Sequence, residues 1–146
     1  MSLDGRYDES NVFALILQGK IPSTKLYEDE HTYAFLDIQP QSKGHALVIS
    51  KWSKARNILE IEPEALCQVM ASVRKVAGAI RAAVQPDGIH IAQFNGAPAG
   101  QTVFHLHVHI VPRWEGGPMG FSAHAQGDFA DADALNALAD EIRAHL

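Results

Sequence analysis

The sequence of 146 residues predicts an α+β fold, a mainly antiparallel sheet with one long helix and a C-terminal helix. Three observations carry this. Apolar side chains recur at helical spacing from residue 62 to residue 84. Short runs rich in aromatic and β-branched residues lie on either side of that stretch, bounded by Gly and Pro turns. Finally, the run from Thr102 to Pro112 alternates strictly in polarity, which is the period of a strand with one apolar face.

In chain order, Ser10 is placed to cap a short helix from Asn11 to Gln18, with Gly19 as its stop and Pro22 preventing resumption. Val12, Phe13 and Ile16 share one face of it. Lys25 to Glu28 and Thr32 to Asp37 read as strands, with Asp37 at the end of the second. Pro40 to Gly44 is a turn, His45 to Ser50 a further strand, and Lys51 to Leu59 a loop with a short helical turn. The long helix runs from Glu62 to Val84, with Pro63 suited to its first turn and Glu62 and Glu64 at its positive end. Its stripe comprises Leu66, Val69, Met70, Val73, Val76, Ala77 and Ile80, and packing is the expected role of Met70 and Cys67. Pro86-Asp87-Gly88 ends it, Ile89 to Asn95 is a strand, and Gly96 to Gly100 is a loop. After an irregular stretch from Gly116 to Gly127, a second amphipathic helix spans Asp131 to His145.

One domain over residues 1–146 is expected at this length, with a core at 11–113 and a tail plus helix at 114–146. Hydrophobic residues make up 47% and charged residues 20%, as in water-soluble globular chains. The formal net charge is -5 and no Lys/Arg run stands out, which argues against a partner such as a nucleic-acid backbone. Cys67 is the one cysteine, so no internal disulfide can form and an oxidising compartment is not indicated. No apolar run approaches the roughly 20 residues of a membrane span. The polar start from Met1 to Asn11 lacks a signal-peptide core. A cytoplasmic protein with no membrane partner is expected.

Three of the chain's 8 histidines fall on alternate positions: His105, His107 and His109. With Val103 and Val111 they form one face, opposite Phe104, Leu106, Val108 and Ile110. Side chains two apart on a strand are about 6.5 Å apart, close enough to share one ligand. Neutral imidazole is available at neutral pH as nucleophile, base or metal ligand. Three readings therefore compete. His107 could attack phosphorus, with its neighbours binding phosphate oxygens and protonating a leaving group. A His-x-His pair could instead chelate zinc. Or the three could be chemically idle on a half-exposed strand, which their strict alternation makes the weakest reading. The preceding loop, Asn95 to Thr102, favours the first: Gly96 and Gly100 permit N–H groups to converge on an anion, and Gln101 and Thr102 add polar side chains.

The run Gly100-Gln101-Thr102-Val103-Phe104-His105-Leu106-His107-Val108-His109-Ile110-Val111 resembles the signature of the histidine triad family. The similarity extends to Gly19-Lys20-Ile21-Pro22, Tyr27-Glu28-Asp29, Ala34 to Ile38 and Pro40 to Ile49, covering residues 11 to 113. The resemblance implies an α+β fold and a homodimer whose sheets join. It also implies hydrolysis or transfer at a nucleotide α-phosphate through a nucleotidyl-histidine, with no cofactor. On that basis His107 is the nucleophile, and His109 contacts phosphate and leaving group. His105 and His45 support the nucleophile, and Thr102 meets the leaving group. Asn95, Gln101 and the amide of Val103 hold the phosphate side, and Asp37 takes the ribose hydroxyls. Val12, Phe13, Ile16, Phe35 and Ile38 form a pocket for the base. His31, His90, His124 and His145 receive no role and are expected at the surface.

Two departures matter. Many bacterial members bind a structural zinc through Cys-x-x-Cys and further histidines. Here Asn11 and Ala14 occupy the cysteine positions and Trp52, Ser53 and Lys54 stand where a helper histidine is expected, so no structural zinc, and no other metal, is predicted. The tail beyond Arg113 has no clear assignment. The third histidine argues against uridylyltransferase relatives, which carry Gln there. A purine nucleoside phosphoramidate or aminoacyl adenylate is the favoured substrate class. A dinucleoside polyphosphate of the Fhit type and a nucleotide-binding regulatory role are the alternatives.

Overall fold

The computed structural model describes residues 2–146. Five strands form one sheet: β1 (Lys25–Glu28), β2 (Thr32–Leu36), β3 (Ala46–Ser50), β4 (Gly88–Ala92) and β5 (His107–Arg113). Their order is β1-β2-β3-β5-β4, and every pairing is antiparallel. Three helices accompany them: α1 (Val12–Leu17), α2 (Pro63–Val84) and α3 (Ala132–Arg143). The predicted α+β class is the observed one.

The period-2 pattern sorts the sheet into two faces. Ala34, Leu36, Ala46, Val48, Val108 and Ile110 join α2 and α3 in the main core. The opposite face carries Phe35, Leu47 and Ile49, which pack with Phe13 of α1. In register, Leu47 pairs with His109 and Ile49 with His107, so the imidazoles share this second face. α2 and α3 thus support the sheet from behind while leaving the histidine side open to α1 and the tail.

α2 begins at Pro63, where a missing N–H costs nothing, and stops at Gln85, which adopts a left-handed φ of 51° and returns its N–H to Arg81 O. Its buried face is Ala65, Val69, Ser72, Val73, Val76, Ala79 and Ile80. Cys67 and Met70 do not pack as expected; both are exposed. They lie roughly 160° and 100° round the helix from Val69, outside the arc that the sheet covers. Ser72 takes a core position instead because its hydroxyl meets Thr32 Oγ1 at 2.6 Å.

Two boundaries also differ from expectation. The side chain of Asn11, not Ser10, caps α1, accepting from the N–H groups of Phe13 and Ala14. And the histidine strand begins at His107 rather than Thr102. Its partner β3 ends at Ser50, one residue past the Ile49–His107 pair, so upstream residues have no strand to join. The chain there bends, and Leu106 N–H bonds to Ala55 O in the neighbouring loop at 3.0 Å. At the far end, Pro112 lies beyond the last β3 pair at Ile110, where its lack of an N–H breaks no ladder bond to β3. No helix among the described residues is long and apolar enough to cross a membrane.

Candidate active site

The three triad imidazoles are each at most 3% exposed. Their hydrogen bonds fix which ring nitrogens carry protons. His107 Nδ1 lies 2.8 Å from the carbonyl of His105, which can only accept, so Nδ1 holds the proton and Nε2 of the neutral ring is a lone pair. His105 Nε2 likewise donates to Ser50 O at 3.1 Å, leaving its Nδ1 to accept from Tyr7 O–H at 2.7 Å. The third ring is set by a relay. Gln41 N–H donates to His45 Nδ1 at 3.0 Å, so His45 is protonated at Nε2 and donates to His109 Nδ1 at 3.0 Å. His109 must then carry its proton on Nε2.

Two nitrogens are left over. Among the described residues, neither His107 Nε2 nor His109 Nε2 has a hydrogen-bond partner, and both are buried. The rings are 5.0 Å apart between centroids. A lone pair and an N–H therefore stand side by side, a nucleophile and a hydrogen-bond donor for the anion it attacks.

Burial keeps these rings neutral. It pushes His105 down to about 4, partly opposed by the hydrogen bond to Ser50 O. It pushes His45 to about 4 against the pull of Asp37, and His109 to about 2 with help from His124 and His45. His107 is held well below 6.5 by burial and by its imidazole neighbours His109 and His124. Burial alone would raise the Asp37 carboxyl. Hydrogen bonds from His124 and Gln39 N–H, with His45 nearby, outweigh it and keep the group below its usual value.

Beside the histidines lies a cavity of about 330 Å³. Val12, Phe13, Ile16, Phe35 and Ile38, the residues expected to form a base pocket, all line it, as do Asp37 and Val103. Phe13 is the pivotal wall: its ring stands edge-on to His107 at 4.8 Å and to Phe35 at 5.3 Å. Other expected residues are placed differently. Gln101 is buried and its amide braces the loop, accepting from Gly96 N–H and donating to the carbonyls of Arg56 and Val103. Asn95 Oδ1 is engaged by Ile58 N–H and Gln93 Nε2, so only its Nδ2 is left for a ligand. Thr102 is exposed, with Oγ1 at 3.2 Å from His124 Nδ1.

That partner is a correction. His124 is not at the surface but 4% exposed, in the site itself. Its Nε2 donates to Asp37 Oδ2 at 2.9 Å, and its ring lies 4.9 Å from those of His107 and His109. Nothing periodic marks it in the sequence. It sits between Ala123 and Ala125 in a stretch without regular structure, and only the fold brings it to the triad. His31 and His90 are half-buried, and His145 is exposed.

Among the described residues, two groups bring metal-binding atoms within 4.8 Å of one another: His107, His109 and His124, and Asp37, His45 and His109. Their wiring does not suit a metal. Ligation by His109 Nε2 needs a lone pair where the relay puts a proton, and His109 Nδ1 is already the acceptor for His45. Asn11 and Ala14, the positions that the family resemblance marks for a structural zinc, do not fit zinc either. Asn11 is engaged in capping and Ala14 offers no donor.

The sequence pattern of the HIT domain family matches residues 18–116, and the chain belongs to that family. It is 47% identical over 132 residues to Protein hit of Bacillus subtilis, covering 88% of this chain and 89% of the relative. It is 36% identical over 149 residues to the adenosine 5'-monophosphoramidase HNT1 of Saccharomyces cerevisiae, covering 100% and 89%. Among solved structures, a HIT-like protein from Bartonella henselae superposes with a TM-score of 0.88 at 42% identity, covering 97% and 100%.

Proposed function

We propose that this chain hydrolyses a purine nucleotide at its α-phosphate through a nucleotidyl-His107 intermediate, with a nucleoside phosphoramidate as the substrate. The observation that carries the reading is the pair of unpartnered, buried nitrogens of opposite protonation on His107 and His109. His107 Nε2 attacks phosphorus while the bond to the leaving nitrogen breaks; His109 Nε2–H donates a hydrogen bond to a phosphate oxygen, and the nitrogen departs as neutral amine with the proton it carries in the protonated phosphoramidate. The cation that develops on His107 is stabilised through Nδ1–H by the carbonyl of His105. Water then attacks phosphorus as the bond to His107 Nε2 breaks, and the water's proton passes to solvent. This releases the nucleoside monophosphate and restores the neutral His107 ring. The apolar cavity beside Phe13 suits a planar base. The name of the yeast relative, a monophosphoramidase, supports the same leaving-group class.

Mass spectrometry of acid-quenched enzyme after adenosine phosphoramidate is expected to find the adenylyl group on His107. His107→Ala should lose turnover by at least about a thousandfold; an undiminished rate would refute the assignment. Faster turnover of diadenosine triphosphate than of the phosphoramidate would shift the substrate to a dinucleoside polyphosphate. We further propose a homodimer: β4 is an open sheet edge with Ile91 exposed, and Met70 of α2 is exposed as well. Sedimentation equilibrium checks it, and a monomer at micromolar concentration would refute it.

A further inference from the structure

Between β5 and α3 the chain forms no helix or strand, yet it runs across the cavity and sets His124 against the triad. We propose that residues 114–131 are a movable strap and that His124, when the strap is closed, stands where nucleotide ribose and phosphate would bind. This rests on reading the cavity as a nucleotide site.

Space makes the first argument. A phosphorus atom about to bond to His107 Nε2 must approach to about 3–3.5 Å with its substituents. That nitrogen is buried, and the imidazole of His124 sits 4.9 Å from the rings of both His107 and His109. No phosphate fits while that ring remains. Competition makes the second. Asp37, the expected ribose acceptor, already accepts from His124 Nε2 at 2.9 Å, and its carboxylate is 3% exposed. A ribose hydroxyl can reach it only after His124 leaves.

The first part of the strap is tied by Trp114 Nε1 to Gln85 O, Glu115 N–H to Asp87 Oδ2 and Arg113 to Gly120 O, and the part that carries His124 is held by a few polar bonds. Gln39 Nε2 holds the carbonyls of Ala125 and Gly127, Gln41 exchanges two bonds of 3.2 Å with Ser122, and Ala130 N–H reaches Ile38 O. His124 N–H bonds to Gly100 O at 3.1 Å. Met119 and Phe129 are 82% and 73% exposed, and Phe121 rests against His90 and Phe94, so lifting the segment parts these rings but takes no buried member of the main core with it. At its start Gly116 has a φ of 78°, a left-handed conformation that glycine adopts freely. At its end Asp131 caps α3 and anchors the segment to a fixed element.

Nucleotide affinity is then the intrinsic affinity multiplied by the open fraction. Removing the plug should strengthen binding, whereas removing a ligand-binding side chain would weaken it. The test compares wild type with His124→Ala and with Gln41→Ala, which loosens the strap from outside the cavity. AMP binding is measured by calorimetry. Separately, without nucleotide, the rate at which diethylpyrocarbonate modifies His107 is read by peptide mass spectrometry. Both variants should bind AMP at least about fivefold tighter and expose His107 at least about fivefold faster. Unchanged or weaker AMP binding with an unchanged labelling rate overturns the proposal. If none of the three proteins binds AMP while labelling still accelerates, the nucleotide reading falls and the movable strap stands.

Discussion

Neutral imidazoles buried between the sheet's second face and α1 and the tail make acid the weak point of this fold, and His105 allows the effect to be sized. Its ring is 2% exposed and burial takes its pKa from 6.5 to about 4. The unfolded chain therefore binds a proton that the folded one refuses over that interval. Stability is complete above about pH 6.5 and drains as the pH falls towards 4. The full interval corresponds to about 3 kcal/mol, of which about 2 kcal/mol is lost by pH 5. His45, shifted to the same value, contributes in the same direction. Replacing His105 by Asn removes one titrating ring while keeping a side chain that can hydrogen-bond. Urea unfolding at fixed protein concentration, at about pH 7.5 and pH 5, should show the wild type losing about 2 kcal/mol more than His105→Asn between the two. Equal losses would refute the reasoning, because they would mean that His105 titrates alike in both states.

Three further outcomes follow from the site. Phe13→Ala removes the wall shared by His107 and Phe35, and should raise KM for adenosine phosphoramidate while costing about 3 kcal/mol of stability; unchanged kinetics would separate the cavity from the reaction. Gln101→Leu keeps the volume but strands Gly96 N–H and the Arg56 and Val103 carbonyls, so a loss of about 3 kcal/mol is expected in thermal unfolding, and a loss under about 1 kcal/mol would contradict the bracing role. Dialysis against EDTA should leave turnover unaltered, since the relay through His45 keeps a proton on His109; activity that is lost and then restored by zinc would show the wiring to be wrong.

Most of the architecture was legible because hydrophobic periodicity reports burial directly. The alternation at 105–110 gave the two faces of β5, and Pro63 and Pro86 bounded α2. What stayed hidden depends on where other segments end. The strand could not be shortened to His107 without knowing that β3 stops at Ser50. Met70 and Cys67 carry apolar character that says nothing about how far round α2 the sheet reaches. The cavity-lining set, from Val12 to Ile38, came from the family pattern; by periodicity alone those residues are ordinary core. Gln101 looked like a ligand contact because polar loop residues often are, and only its three backbone partners reveal a brace. His124 was invisible for the simplest reason. A lone imidazole in an aperiodic stretch has no local signature, and its place is set by the path of the chain from β5 to α3.

The ring of His107 takes its bearing from a peptide oxygen two positions upstream in the same chain. Every amino acid would present that oxygen. The reagent is thus specified by the route of the main chain and not by a companion residue that drift could exchange. Substitutions nearby can slow the chemistry or change what it accepts, yet the nitrogen left free for attack stays the same until the backbone itself is rerouted.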